Sequence, residues 1–257
     1  MRMTTTQQVP GGPETGAAAR AARPGRVPPQ ATAPPAAVAS VAAVLARMRA
    51  LEATLPPADG IAVFNRVYLS VTEEVARRLG TGGFQDPSAA GALDAVFARR
   101  YLAAVDAAGA GLTVPACWRP VFQLRRHPGV RPLQFALAGI NAHIGHDLAL
   151  AVVDTCRVLE CEPTALAADF DRVGDLLTGM EERIRESLMP GPDLLDVADP
   201  LTHLAGSWSL EMARDGAWAA ARVLWSLRGL PGTAQEFAGQ LGSGVGLVGR
   251  CLLTPLG

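Results

Sequence analysis

Lysine is missing from the 257-residue chain, so all 23 basic residues are arginine. That absence excludes Schiff-base and P-loop lysine mechanisms. With abundant Ala and Gly, it also points to the codon bias of a high-GC bacterial genome. Cysteine is scarce: Cys117, Cys156, Cys161 and Cys251 form no C-x-x-C pair. Four in a chain this long make no disulfide framework and read as free thiols in a reducing cytoplasm. The N-terminus shows no apolar signal core, and no run reaches the ~18 apolar residues of a membrane span, 241–256 coming closest. Net charge is only −1, and no basic stripe carries interleaved aromatics. The chain therefore reads as binding neither nucleic acid nor membrane. No nucleotide-cofactor fingerprint occurs.

What is present is apolar periodicity. Residues 1–36 are rich in Ala, Pro, Gly and Arg and too poor in large apolar side chains to offset their ordering entropy. They read as a disordered tail. From 37 to 257 the pattern is helical. Val41, Leu45, Met48, Leu51 and Leu55 share a face, and Pro56-Pro57 stop that helix. Ile61, Phe64, Tyr68, Val71, Val75 and Leu79 repeat the pattern, with Asp59 as N-cap and Gly80 as stop. Asp86-Pro87 opens a third helix, with the stripe Leu93, Phe97, Tyr101 and Val105. Prolines break 110–131, where Trp118, Val121 and Phe122 anchor the connection. A long central helix runs from Pro132 to Glu160, another follows Pro163, and 189–198 is a loop. Asp199-Pro200 opens a helix to about Arg228, and a glycine-spaced helix closes the chain. No alternating strands and no fixed-period repeat appear. The expected fold is all-α: a single multi-helix, bundle-like domain behind the tail.

Chemistry concentrates on the central helix, which carries Asn141, His143, His146 and Asp147; two of the four histidines fall here. At 100° per residue, Asp147 lies about 40°, Asp154 about 20° and His146 about 60° from His143. Asp147 adjoins Ile144 and Leu148 of the apolar stripe. A carboxylate there needs a donor, a counter-charge or a cation. Three readings stay open. His143 and Asp147 at i, i+4 are an acid–base pair, with His143 as base and Asp147 as its orienter. They are also, with His146, candidate ligands of a divalent metal. Or the cluster is a structural polar network. Asn141, about 160° from His143, faces elsewhere. Gly139 and Gly145 cost about 1 kcal/mol each inside a helix, which implies a close approach by a neighbour.

Other residues are candidates to complete the site. Glu211, Arg214, Asp215 and Trp218 share one face, flanked by Trp208 and Trp225, and His203 precedes them. Arg214 and Trp218 are the expected facing wall, with Arg214 stabilising an anion. Arg66 and Tyr68 are candidates to reach the same cavity, as is Glu211. Asp169, Asp171 and Asp175 read as a solvated face.

The stretch Gln134-Phe135-Ala136-Leu137-Ala138-Gly139-Ile140-Asn141-Ala142-His143-Ile144-Gly145-His146-Asp147-Leu148 resembles the signature of the domain of unknown function 5995 family, mostly actinobacterial. Phe64-Asn65-Arg66-Val67-Tyr68 and Ala213-Arg214-Asp215-Gly216-Ala217-Trp218 are similar to it too. The likeness covers most of 58–228. It implies Asn141, His143, His146, Asp147, Arg214 and Trp218 as family-type positions. Gly145 and Ala149 depart from it, where a bulkier polar residue and a proline are expected. The family supplies no chemistry. The reading is an acid–base hydrolase or lyase, or a small-molecule binder. The alternatives are a divalent-metal hydrolase of phosphoesterase type and a non-enzymatic scaffold. Four histidines argue against a three-metal site.

Overall fold

The computed structural model describes residues 35–188 and 209–255, and every regular element among them is helical. Helices α1 (Pro35–Thr54), α2 (Gly60–Gly80) and α3 (Pro87–Gly109) come first, followed by the short α4 (Arg119–Leu124). A central rod then joins α5 (Pro132–Ala142), a π-helical segment (His143–Leu148) and α6 (Ala149–Leu159). A 3₁₀ turn (Pro163–Leu166) leads into α7 (Ala167–Leu188), and α8 (Leu210–Ser226) and α9 (Pro231–Leu252) complete the order.

The caps arise from the residues. Asp59 accepts the Ile61 N–H at 3.0 Å, and Asp86 accepts those of Ser88 and Ala89 ahead of Pro87. Each satisfies donors that a helix start leaves open. The helix ending at Ser226 departs from the sequence reading: its N-cap is Ser209, whose hydroxyl accepts from the Met212 N–H at 3.2 Å. The expected start at Asp199-Pro200, the 189–198 loop, His203, Trp208 and the tail up to residue 34 lie outside the described residues. Helix α1 begins at Pro35, two positions ahead of the expected domain start.

Two apolar clusters flank the rod, and Phe97 and Ile140 pack against both. Helix α5 lies against α2 and α9, α6 lies between α3 and α8, and the π segment meets α3, α8 and α9. The two rod glycines explain themselves here. Phe64 occupies the space a Cβ on Gly139 would take, and a Cβ on Gly145 would come to 3.1 Å from Val245 of α9. Residues 132–159 are long and apolar enough to cross a membrane by composition, a stretch the sequence reading passed over. Most of that length is buried by the protein's own helices.

The rod also corrects an expectation. An unbroken α-helix places Asp154 on His143's face. The π segment closes i→i+5 rings instead, which puts an extra residue into that turn and re-aims the side chains beyond it. Asp154 pairs with Arg100 of α3 and, at 3.2 Å, with Arg157.

Candidate functional site

The π segment points His143, His146 and Asp147 inward together, and all three are buried. Asp147 is the hub. Its Oδ2 accepts the Trp118 indole N–H at 2.7 Å and lies 3.1 Å from His143 Nδ1; its Oδ1 lies 3.0 Å from His146 Nδ1. An ionised carboxylate only accepts, so His143 and His146 each present Nδ1–H to it. Burial pushes the Asp147 carboxyl up, but the hydrogen bonds from His143 and His146 outweigh it and hold it at about 2. Burial drives the His143 imidazole down against the opposing pull of Asp147, which keeps the ring neutral. With the proton on Nδ1, His143 Nε2 is a bare acceptor, enclosed and without a hydrogen-bond partner.

Aromatic rings surround that imidazole. Phe97 stacks on it with centroids 3.6 Å apart and planes 6° from parallel, and Tyr68 meets it edge-on at 4.4 Å. The Tyr68 hydroxyl oxygen is likewise buried and unpartnered in hydrogen-bonding terms. Burial, then the nearby Asp94 charge, raise that phenol well above its usual range. One turn before Phe97 on α3, Asp94 Oδ2 is a further enclosed polar atom with no hydrogen-bond partner. Burial pushes the Asp94 carboxyl up to about 7. Asp94 and Phe97 line a cavity of about 60 Å³ with Val75, Leu93, Phe170 and Arg214. A single water needs only about 10–15 Å³ by that measure.

The chain belongs to a family of unknown function, DUF5995. The family model matches residues 41–255, more than the 58–228 stretch that carries the resemblance. No curated protein and no solved structure matches the chain.

The DUF5995 motif residues divide among three places, the first being the hub itself. Asn141 turns away from the hub and donates through Nδ2 to the Val245 carbonyl at 3.0 Å, tying the rod to α9. Tyr68 joins the cluster. Arg214 does not face Asp147: its guanidinium donates to the Phe170 carbonyl, lies 4.5 Å over the Phe170 ring and lines the cavity. Burial lowers its pKa, against the pull of Asp171, Asp215, Asp175 and Glu211. Trp218 is half-buried on Phe170, with centroids 4.6 Å apart, away from the histidines. Glu211 is exposed, and Arg66 is exposed and donates to the Pro57 carbonyl at 3.0 Å, so neither reaches the cluster. Asp169 is buried rather than solvated; it accepts the Gln85 and Asp86 N–H groups at 2.6 and 2.7 Å and pairs with Arg172.

Four participants escaped the sequence reading: Asp94, Phe97 as a cavity wall, Trp118 as a donor, and Cys117. Asp94 had a signal, since Asp94, Phe97 and Tyr101 stand at i, i+3 and i+7 and share a face. Cys117 and Trp118 sit in a proline-broken connection where spacing carries no direction. Among the described residues, donor atoms of Cys117, His146 and Asp147 converge within 4.8 Å in a cation-compatible group.

Proposed function

We propose that this DUF5995 protein binds a compact, mainly apolar small molecule in the cavity beside Phe97 and exchanges a proton with it through Asp94. One observation carries the reading: Asp94 Oδ2 is an enclosed oxygen without a hydrogen-bond partner on a residue that lines the cavity with Phe97, and Tyr68 Oη and His143 Nε2, on rings packed against Phe97, are unpartnered as well. Buried polar groups are ordinarily satisfied, and each exception calls for an explanation. A scaffold network would close on itself. Asp147 itself finds three N–H donors, whereas Asp94 Oδ2 finds none. A carboxyl at about 7 populates both protonation states near neutrality, which suits a general acid–base group. Hydrolytic or lyase-type proton transfer is the chemistry this supports. His143 is a positioning residue: locked to Asp147, it fixes the Phe97 wall from behind. Arg214 supplies a positive charge at the far wall. Buried free thiols at Cys117 and Cys156 support a cytoplasmic setting.

The test is a ligand screen by thermal shift, using compact apolar amines, alcohols and amides on the wild type and on Asp94→Leu. The expected result is a class that raises the wild-type midpoint and leaves Asp94→Leu unmoved. A ligand that stabilises both proteins equally, or no hit in any class, removes the reading.

A further inference from the structure

Helix α9 crosses the π segment and the connection before α4 at close range, through glycines. A Cβ on Gly242 would come to 3.2 Å from the His146 ring, and one on Gly249 to 3.9 Å from the Cys117 carbonyl. The backbone of Cys117 is thus held against α9, and the residue is fully buried. One donor atom each from Cys117, His146 and Asp147 lies within 4.8 Å of the others. With zinc bonds of about 2.0–2.3 Å in a tetrahedral site, two ligand atoms sit roughly 3.4–3.6 Å apart. A contraction on the order of an ångström therefore closes the group.

We infer that Cys117, His146 and Asp147 form a binding site for a borderline-soft divalent metal ion, zinc first among them, distinct from the cavity at Asp94. The donor set selects the metal class. A thiolate and an imidazole favour zinc over magnesium or calcium, which take oxygen ligands. Charge agrees: one thiolate and one carboxylate neutralise a divalent ion in an enclosed space. The surroundings of Asp147 agree as well. Its Oδ2 is engaged by Trp118 Nε1 and His143 Nδ1, while its Oδ1 accepts only from His146, itself one of the ligand set, through a hydrogen bond that the ion replaces. An outer pair of donors holding one carboxylate oxygen while the other faces the ligand set is how metal-binding carboxylates are oriented. The ion displaces the Cys117 thiol proton, which passes to solvent as the metal–sulfur bond forms, and the single His146 ring proton settles on the nitrogen that the metal leaves free. Three protein ligands leave the fourth tetrahedral position to water or a small ligand.

Cobalt decides the matter, because a cobalt–thiolate bond gives a near-ultraviolet charge-transfer band. Full-length protein is stripped with a chelator and titrated with Co²⁺, then with Zn²⁺. One equivalent of Co²⁺ is expected to produce the band together with intense tetrahedral d–d bands, and one equivalent of Zn²⁺ to erase both. Cys117→Ala loses the band. Cys251→Ser, which changes an exposed thiol, keeps it. His146→Ala lowers cobalt affinity at least about tenfold and keeps the inference testable should the cysteine variant not fold. Absence of the band in the wild type overturns the site. So does a band that survives Cys117→Ala, or an affinity unmoved by His146→Ala.

Discussion

Asp147, buried, and Asp94, half-buried with one oxygen enclosed, are carboxylates of the same helical bundle, and their surroundings treat them in opposite ways. Asp147 sits on the π segment with three N–H groups aimed at it, from Trp118, His143 and His146, and stays ionised down to about 2. Asp94 sits on α3 with an enclosed, unpartnered oxygen beside a cavity and holds its proton up to about 7. Burial raises both; what separates them is the supply of donors. A satisfied carboxylate contributes to the fold, whereas an unsatisfied one stays in the fold at a cost and is free to act on something else. Phe97, which lines the cavity with Asp94, stacks on the His143 ring that bonds Asp147, and so joins the two environments.

Removing the hub should have the largest effect. Asp147→Ala leaves three buried N–H groups without an acceptor, which should cost on the order of 3–5 kcal/mol in urea unfolding. A loss under about 1 kcal/mol would show that the donors find other partners and that the contrast is overstated. The pH dependence sharpens the contrast next. Asp147, with its folded pKa depressed to about 2, contributes stability that is present above its ordinary unfolded value and is lost as pH falls through about 2. Asp94 has the opposite sign. Between its unfolded value near 4 and its folded value of about 7, the folded chain holds the proton and the unfolded chain does not. Stability therefore falls as pH rises across that window, by at most about 1.4 kcal/mol per unit, and levels off above it. Asp94→Asn should abolish this decline while leaving the acid-side loss intact, as measured by denaturant midpoints from pH 3 to 8. Should the decline persist in Asp94→Asn, another group is responsible. The smallest effect belongs to Glu211→Ala: an exposed side chain away from both carboxylates, it should move stability by less than about 0.5 kcal/mol and leave ligand binding unchanged.

Much of the fold was legible in residue spacing. Asp59, Pro56-Pro57 and Asp86-Pro87 set helix ends through capping and missing donors, which are local effects. The stripes of α2 and α3 named their buried faces for the same reason. The inward pairing of His143 with Asp147 was legible too, because i and i+4 neighbours meet on a helix surface. What spacing could not deliver was the company these side chains keep. Trp118 reaches Asp147 across 29 positions of chain, with Cys117 beside it, and tertiary packing brings them there. Arg214 shares a family motif with Trp218, yet both attach to Phe170 on α7 rather than to the histidines. The π segment was invisible because its six residues show no composition that forbids an α-helix.

That segment makes the site a matter of chain length as well as residue identity. A turn closed over five residues instead of four behaves as a one-residue insertion, and excising one position between 143 and 148 would let the ladder revert to its common form. With Gly145 excised, residues beyond the segment would keep their facing, Asp154 on Arg100 included, while His143 and Asp147 would stand three positions apart instead of four and the carboxylate hub would come apart. A single codon, neither adding nor removing any charged group, would thus separate a bundle with this chemistry from one without it.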